Sequence, residues 1–327
     1  MGSIVYFLQR AIMQSLPLLF GSTGEILIEK SGNLNLGIPG IMVMGGASGI
    51  IAATAYEKLF SNGNPNGTVS VIISLLASIL CSLLVSLLYC FLTVTLRANQ
   101  NVTGLAITTF GTGFGNFFGG ALAKLLGVSD TQILTTVYAY KRALPFYDKL
   151  GAIGQVLFSH GFMFYIGVGA AIVAYYVLKK TRTGLNLRAV GENPAAADAA
   201  GIDVTKYKYA ATCIGGVLAG LGGLYYFIDY STGTWDTLSF GDRGWLAIAL
   251  VIFVVWKPNI AIFGSLLFGA LYIADVFVPG LNSATKELFK MLPYLVTIVI
   301  LISTSFTKKK ENQPPASLGL SYFREER

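Results

Sequence analysis

A carboxylate inside an apolar run is a group with chemistry to do, and Glu25 shares an arc with Gln14, Ser15 and Ser22 in the apolar stretch 8–28. A charge in such a run marks an ion or solute pathway, or a partner within reach. Two readings stand, because Glu25 lies about a turn from the end of its run and can instead extend to water or to Lys30. A second concentration of polar groups is Asn101, Gly104, Thr108, Gly111, Thr112, Gly115, Asn116 and Gly119, which fall within roughly 140° of a helical wheel, with Phe110, Phe114 and Phe117 opposite. Close helix packing accounts for such a face. So does the polar wall of a solute path, for which Asn101 and Asn116 are the stronger candidates, because an amide both donates and accepts and is costly to leave in hydrocarbon. A third concentration is the glycine, proline and asparagine break at 29–40, with Asn33 and Asn35. Broken backbone of this kind lines a cavity or is shielded by protein, unless it is a plain turn.

Covalent and metal chemistry have no foothold. The sequence holds no HExxH, no GxSxG and no Gly-Lys dipeptide, so a Walker A loop is impossible and any ATP that drives this protein is bound by another chain. Gly111, Gly113 and Gly115 superficially match a dinucleotide loop, but Asn116 occupies the third glycine position and no strand precedes it. Cys81, Cys90 and Cys213 lie in apolar runs without CxxC spacing and His160 stands alone, which excludes a disulfide framework and a zinc motif. The chain is expected to bind no cofactor and no metal and to be no enzyme.

The elements that must position these residues are membrane helices. Of 327 residues, 54% are hydrophobic and 12% charged, with a mean hydropathy of +0.65. A soluble domain carries about a quarter charged residues, so this chain lacks the polar surface of a water-soluble globule. Apolar runs at 8–28, 36–56, 69–96, 101–123, 160–178, 207–228, 245–256, 260–277 and 288–306 predict an all-α, polytopic bundle of about nine spans, eight to ten, in one transmembrane domain. The first twenty residues lack a basic n-region and are expected to be retained. Serines at 70, 74, 78, 82 and 86 predict a ridge packed on a neighbouring helix. The polar, aromatic stretch 124–159 is expected outside, and the tail 308–327, with Lys308, Lys309 and Lys310, inside. This orientation collects 14 of 23 basic and 7 of 16 acidic residues on the inner side, a net +7 against zero elsewhere. It satisfies the positive-inside rule and puts the N-terminus outside. The net charge of +7 is thereby explained without a nucleic-acid partner.

The segment 181–206 is expected to be cytoplasmic. Asn193 can cap a short helix, Pro194 suits its first position and Gly201 can end it. The result is a two-turn helix with a small-residue face that a partner's groove can accept.

Residues 182–204 resemble the cytoplasmic coupling segment of ATP-binding-cassette importer permeases in the branched-chain amino acid, simple sugar and nucleoside superfamily, and 24–46 is similar to that family's glycine and asparagine signature. The run Arg97-Ala98-Asn99-Gln100-Asn101-Val102-Thr103-Gly104-Leu105-Ala106-Ile107, the stretch 144–158 and the tail 318–325 are similar to the nucleoside branch. Pro39 stands where that branch commonly carries an acid and Thr108 where it carries asparagine, which keeps riboflavin and simple-sugar permeases as alternatives. The resemblance implies a multi-pass protein of the cytoplasmic (inner) membrane that pairs with a second permease, often a longer paralogue. Cytoplasmic ATPase chains that use ATP and magnesium, and an extracytoplasmic substrate-binding lipoprotein, complete the assembly, with lipid around it. Glu25, Asn33, Asn35, Asn101, Thr108, Thr112 and Asn116 become pathway candidates. Glu192, Asn193, Asp198 and Asp203 become docking candidates beside a packing surface of Pro194, Ala195, Ala196, Ala197 and the residues up to Gly201. An ion-coupled secondary transporter is the rival of another class. It needs a buried ion-coordinating cluster, and the acids that remain, Asp229, Asp242 and Asp275, lie near span ends.

Overall fold

The computed structural model describes residues 2–61, 63–128, 131–145, 147–235, 240–278, 280, 282–307 and 313–323, and every regular element among them is a helix. In chain order these are α1 (Gly2–Glu29), α2 (Ile38–Ala55), α3 (Gly67–Cys90), α4 (Gln100–Gly120), α5 (Leu122–Leu126), α6 (Leu134–Tyr140), α7 (Gly151–Phe158) and α8 (Phe162–Lys180). There follow α9 (Arg182–Glu192), α10 (Pro194–Ala199), α11 (Val204–Tyr225), α12 (Arg243–Phe253), α13 (Pro258–Phe277) and α14 (Ser283–Thr307). The expected Lys308, Lys309 and Lys310 cluster lies outside the described residues.

Among the described residues, six helices are long and apolar enough to cross a membrane: Ile4–Glu29, Ile38–Phe60, Gly67–Thr95, Phe162–Lys180, Val204–Tyr230 and Pro258–Phe277. The other three expected spans fall on α4, α12 and α14, which depart from the pattern for separate reasons. Six glycines and four threonines dilute α4. The 11 residues of α12 reach about 16 Å, half the hydrocarbon core. Pro293 interrupts α14, whose first turns carry Lys286 and Glu287.

At the centre, α1 packs against α11, α13, α12 and α8, while α2 packs against α11, α3 and α4. Glycine makes these approaches possible. A Cβ on Gly24 of α1 would stand 3.0 Å from the carbonyl carbon of Gly215 on α11, and one on Gly111 of α4 would stand 2.6 Å from Cα of Gly40 on α2. Such small-residue contacts let backbones meet where lipid offers no hydrophobic drive. The serine ridge of α3 is fully buried, as expected for packing: Ser78 donates to the Gly220 carbonyl at 3.3 Å, and Ser74 pairs with the Tyr140 hydroxyl at 2.8 Å.

The two ends of the bundle differ. One carries the break after α1, the short helices α9 and α10, the turn at 254–257 and residues 313–323. The other carries α6, docked on α3 and on the helical turn Tyr56–Phe60 that follows α2: Glu57 accepts from the Thr136 amide at 2.6 Å, and the Ser70 and Thr136 hydroxyls meet at 2.5 Å. Part of the aromatic stretch 124–159 is therefore packed in, with Tyr140 fully buried although Tyr138 is exposed.

Candidate functional site

Three of the expected pathway residues share a cavity. Thr108, Thr112 and Asn116 line a space of about 200 Å³ with Pro39, Phe227, Trp235, Phe240 and Asp242. The helical period places these three on one face over about 12 Å, and the glycines beside them hold α4 against α2. Thr108 donates its hydroxyl to the Leu36 carbonyl at 2.6 Å and Thr112 donates to the Thr108 carbonyl at 2.8 Å. Both donors are thereby spent on backbone, and the two hydroxyls offer lone pairs to the cavity. Asn116 supplies an amide and Asp242 a carboxylate. Opposite, the Trp235 ring stacks on Phe227 with centroids 4.2 Å apart at 19°, and Phe240 lies 5.5 Å from Phe227 at 20°. Trp235 Nε1 is buried and has no hydrogen-bond partner among the described residues. The result is an aromatic stack and a row of acceptors around one cavity, with one amide able to donate, while the Trp235 ring packs against Gly115 and Gly119 of α4.

Sequence spacing found the α4 face and missed the slab. Phe227 and Trp235 come from segments over a hundred residues away, and no local pattern announces their meeting. Pro39 and Thr108, the positions that depart from the nucleoside branch, both line the cavity. Arg243 was likewise missed. It is buried, donates to the Phe240 carbonyl at 2.8 Å and lies 4.4 Å from the Tyr226 ring. With the Gln14 amide oxygen turned toward it, its Nη2 donates at 2.8 Å.

Glu25, Asn33 and Asn35 do not join this cavity. They form a separate buried cluster at the α9–α10 end. Glu25 Oε1 accepts from the Asn35 amide at 3.2 Å, Asn33 Nδ2 donates to Thr212 at 3.0 Å, and Asn35 Oδ1 accepts from the Gly37 amide at 2.9 Å. Tyr89 donates to the Leu34 carbonyl at 2.7 Å, while Gln100 Oε1 accepts from the Leu34 amide at 2.7 Å. Side chains of four helices thus bond to a buried loop, so the plain-turn reading fails and Glu25 does not extend to water, while Glu25 Oε2, Asn33 Oδ1 and Asn35 Nδ2 have no hydrogen-bond partner among the described residues. Thr108 links loop and cavity through Leu36. Asn101 stands exposed beyond both.

The 181–206 segment forms as its cap residues dictate. Asn193 Oδ1 accepts from the Ala196 amide at 3.0 Å, Pro194 opens α10, and Gly201 turns the chain at φ +82°. The preceding α9, capped by Thr181, was not anticipated. Ala195 and Ala196 are exposed, but Ala197 is buried against Val190 and Val204 and so does not belong to the outward face. The three acids have duties within the chain. Asp203 caps α11 by accepting from the Lys206 amide at 2.9 Å, Asp198 accepts from the Tyr322 hydroxyl at 2.8 Å, and Glu192 accepts from the Ala316 amide at 3.4 Å. The tail is a strap, not a loose end: the Gly319 amide donates to the Gly32 carbonyl at 3.1 Å, and the Arg97 guanidinium lies 4.6 Å from the Phe323 ring.

Among the described residues, no group of three or more His, Cys, Asp or Glu side chains is arranged to hold a metal. The family described as branched-chain amino acid transport system, permease component, matches residues 7–301. A nucleoside ABC transporter permease protein, NupC, of Lactococcus lactis subsp. cremoris is 33% identical over 294 residues, 89% of each chain. The guanosine ABC transporter permease protein NupQ of Bacillus subtilis is 30% identical over 325 residues, 97% of this chain and 96% of its own. A permease provisionally named for glucose, TsgC13 of Haloferax volcanii, is 28% identical over 342 residues, 97% of each. No solved structure matches the chain.

Proposed function

This chain belongs to the branched-chain amino acid transport system permease component family, and from that premise we propose that it forms part of the path by which an ATP-binding-cassette importer takes up nucleosides. The observation that carries this reading is the pairing of the Phe227–Trp235 slab with Thr108, Thr112, Asn116 and Asp242 around one cavity. A nucleobase stacks on an aromatic face, a contribution of about 1–3 kcal/mol per base. Ribose hydroxyls and base edges then meet the acceptors and the amide. The relatives named for nucleoside and guanosine transport support the substrate class. A simple sugar, the name of the Haloferax relative, matches the acceptors and leaves the slab unused. Riboflavin, the other alternative, stacks but fills more space. At about 200 Å³ the cavity is below the usual 300–1,000 Å³ of a ligand site. It is a narrowed state, and alternating access widens it in the other.

Nine spans complete the topology in this reading, with α4, α12 and α14 added to the six long apolar helices. The α9–α10 end and the tail face the cytoplasm and α6 faces outside. A second permease, a longer paralogue, completes the path against exposed residues of α4. Cytoplasmic ATPases using ATP and magnesium grip α10 through Pro194, Ala195 and Ala196, and an external lipoprotein delivers substrate. ATP binding biases the two states only through contacts that differ between them.

The test is reconstitution with the second permease, ATPase and binding protein, followed by a panel of nucleosides, riboflavin and glucose scored by stimulated ATP hydrolysis and uptake. Stimulation by nucleosides is expected. Stimulation by glucose or riboflavin alone overturns the substrate, and uptake driven by an ion gradient without ATP overturns the class.

A further inference from the structure

A second cavity, of about 680 Å³, opens at the α9–α10 end where the C-terminal turn of α8, α9, the residue after α1 and the start of α13 converge. Among the described residues, four cations line it, Lys30, Lys179, Arg188 and Lys257, against one acid, Glu192, which already accepts from the Ala316 amide of the tail. These cations come from four separate segments, so no helix-face or charge-run pattern accounts for their meeting. Burial pushes the Lys30 ammonium below its usual range. Glu192 and Glu29 oppose that shift, and Arg188 and Lys257 add to it. Arg188 and Lys257 therefore lie within the field of Lys30, and an anion among these cations would be attracted to all of them.

Two further features fit an anion. The start of α13 has no side-chain cap, and its first turn faces the cavity with Pro258, Asn259 and Ile260, so the positive end of a 20-residue helix adds to the field. The turn before it holds Val255 and Trp256 at φ +54°, a left-handed backbone that bulky residues rarely adopt. It is held there by the Trp256 indole, which donates to the Glu29 carboxylate. That turn brings Lys257 to the cavity.

The apolar neighbours identify the carrier of the anion. Along α8, Ile172, Val173 and Tyr176 are exposed, and along α13, Ile260, Phe263 and Leu267 are exposed, while the two helices pack against each other. A charged head in the cavity thus sits above two apolar strips on which acyl chains can lie. We propose that this cavity is a binding site for the headgroup of an anionic phospholipid. The chemistry is that of a phosphodiester held by a lysine–arginine cluster at a helix start, as expected of basic pockets between membrane helices.

The experiment uses the purified permease in complex with its partner subunits. Native mass spectrometry counts retained phosphatidylglycerol against phosphatidylcholine, and thermal unfolding is followed in nanodiscs of each lipid, with inorganic phosphate as a separate arm. Wild type is expected to retain phosphatidylglycerol selectively. The double variant Lys179→Gln with Arg188→Gln is expected to lose affinity by roughly fivefold per charge removed. The double variant Lys180→Gln with Arg182→Gln, equal in charge and outside the cavity, should keep it. If the first double variant does not fold, Lys257→Gln carries the same expectation. Equal loss in both double variants, or equal retention of the two lipids, overturns the site. Displacement of phosphatidylglycerol by millimolar inorganic phosphate with equal stabilisation assigns the cavity to free phosphate and overturns the lipid.

Discussion

Asn116 faces the cavity with an amide, whereas Phe117, its neighbour on the helix, points outward and is 63% exposed. Asn116→Leu keeps size and removes both donor and acceptor, so uptake is expected to fall at least about tenfold, the scale of leaving a substrate hydroxyl or a site group unpaired. Phe117→Leu, measured at equal expression, should leave uptake near wild type. Equal transport by both variants would assign the α4 face to packing alone. Trp235→Leu removes the stacking surface and is expected to raise the apparent KM for a nucleoside by about tenfold while leaving any glucose uptake unchanged. The α4 face was legible because a helical period is a local pattern, and it holds from Thr108 to Asn116. Asn101 obeys the same period and still falls outside the cavity. Helix α2, which walls the cavity, packs farther along α4, so the wheel gives direction without depth.

Alanine neighbours in α10 have opposite fates, and that separates coupling from stability at the level of the element. Ala196 is exposed and Ala197 is 3% exposed against Val190 and Val204. Ala196→Arg places bulk and charge on the outward face, so substrate-stimulated ATP hydrolysis and uptake are expected to fall together while the permease still folds. Ala197→Arg buries a charge without a partner. It should lower the thermal midpoint and the protection of amides 195–199, a cost of several kcal/mol for an unpaired buried charge. Normal transport and normal ATPase copurification by the Ala196 variant would remove α10 from the coupling role. Tyr322→Phe deletes the hydroxyl that Asp198 accepts. It should speed hydrogen exchange in α10 by a few-fold, consistent with a net hydrogen-bond contribution of about 1 kcal/mol, without changing α4. The caps of this segment were readable because Asn193, Pro194 and Gly201 act within a few residues of themselves. The strap was not, because Glu192, Asp198 and Gly32 meet partners 124 or more residues away, and a sequence of solvated acids looks the same whether or not a tail lies on them.

For the whole molecule the decisive quantity is the charge split, a net +7 on one side against zero on the other if the α9–α10 end and the tail share a compartment. The geometry makes that condition physical: the tail bonds to Gly32, Gly191 and Asp198, so these segments lie at the same end of the bundle. The opposite end holds α6, clamped through Glu57, Ser70 and Ser74. Composition made the helical membrane class readable, because apolar content is additive along the chain. The span count was less readable, because α4 exchanges hydropathy for glycine contacts and α12 is too short to be judged by length. Topology is best tested by single cysteines in a background lacking Cys81, Cys90 and Cys213. Tyr138→Cys is the choice on the α6 side, since Tyr138 is 74% exposed while Tyr140 is buried and would not tolerate a probe. Arg182→Cys is the choice on the other side, being exposed at the start of α9. A maleimide that cannot cross membranes, applied to intact cells, is expected to label Tyr138→Cys and to reach Arg182→Cys only after lysis, because basic residues flanking spans are retained on the cytoplasmic side. Labelling of Arg182→Cys in intact cells would invert the bundle. Labelling of both would put residues 138 and 182 on the same side and so remove α8, the one assigned span between them, from the count.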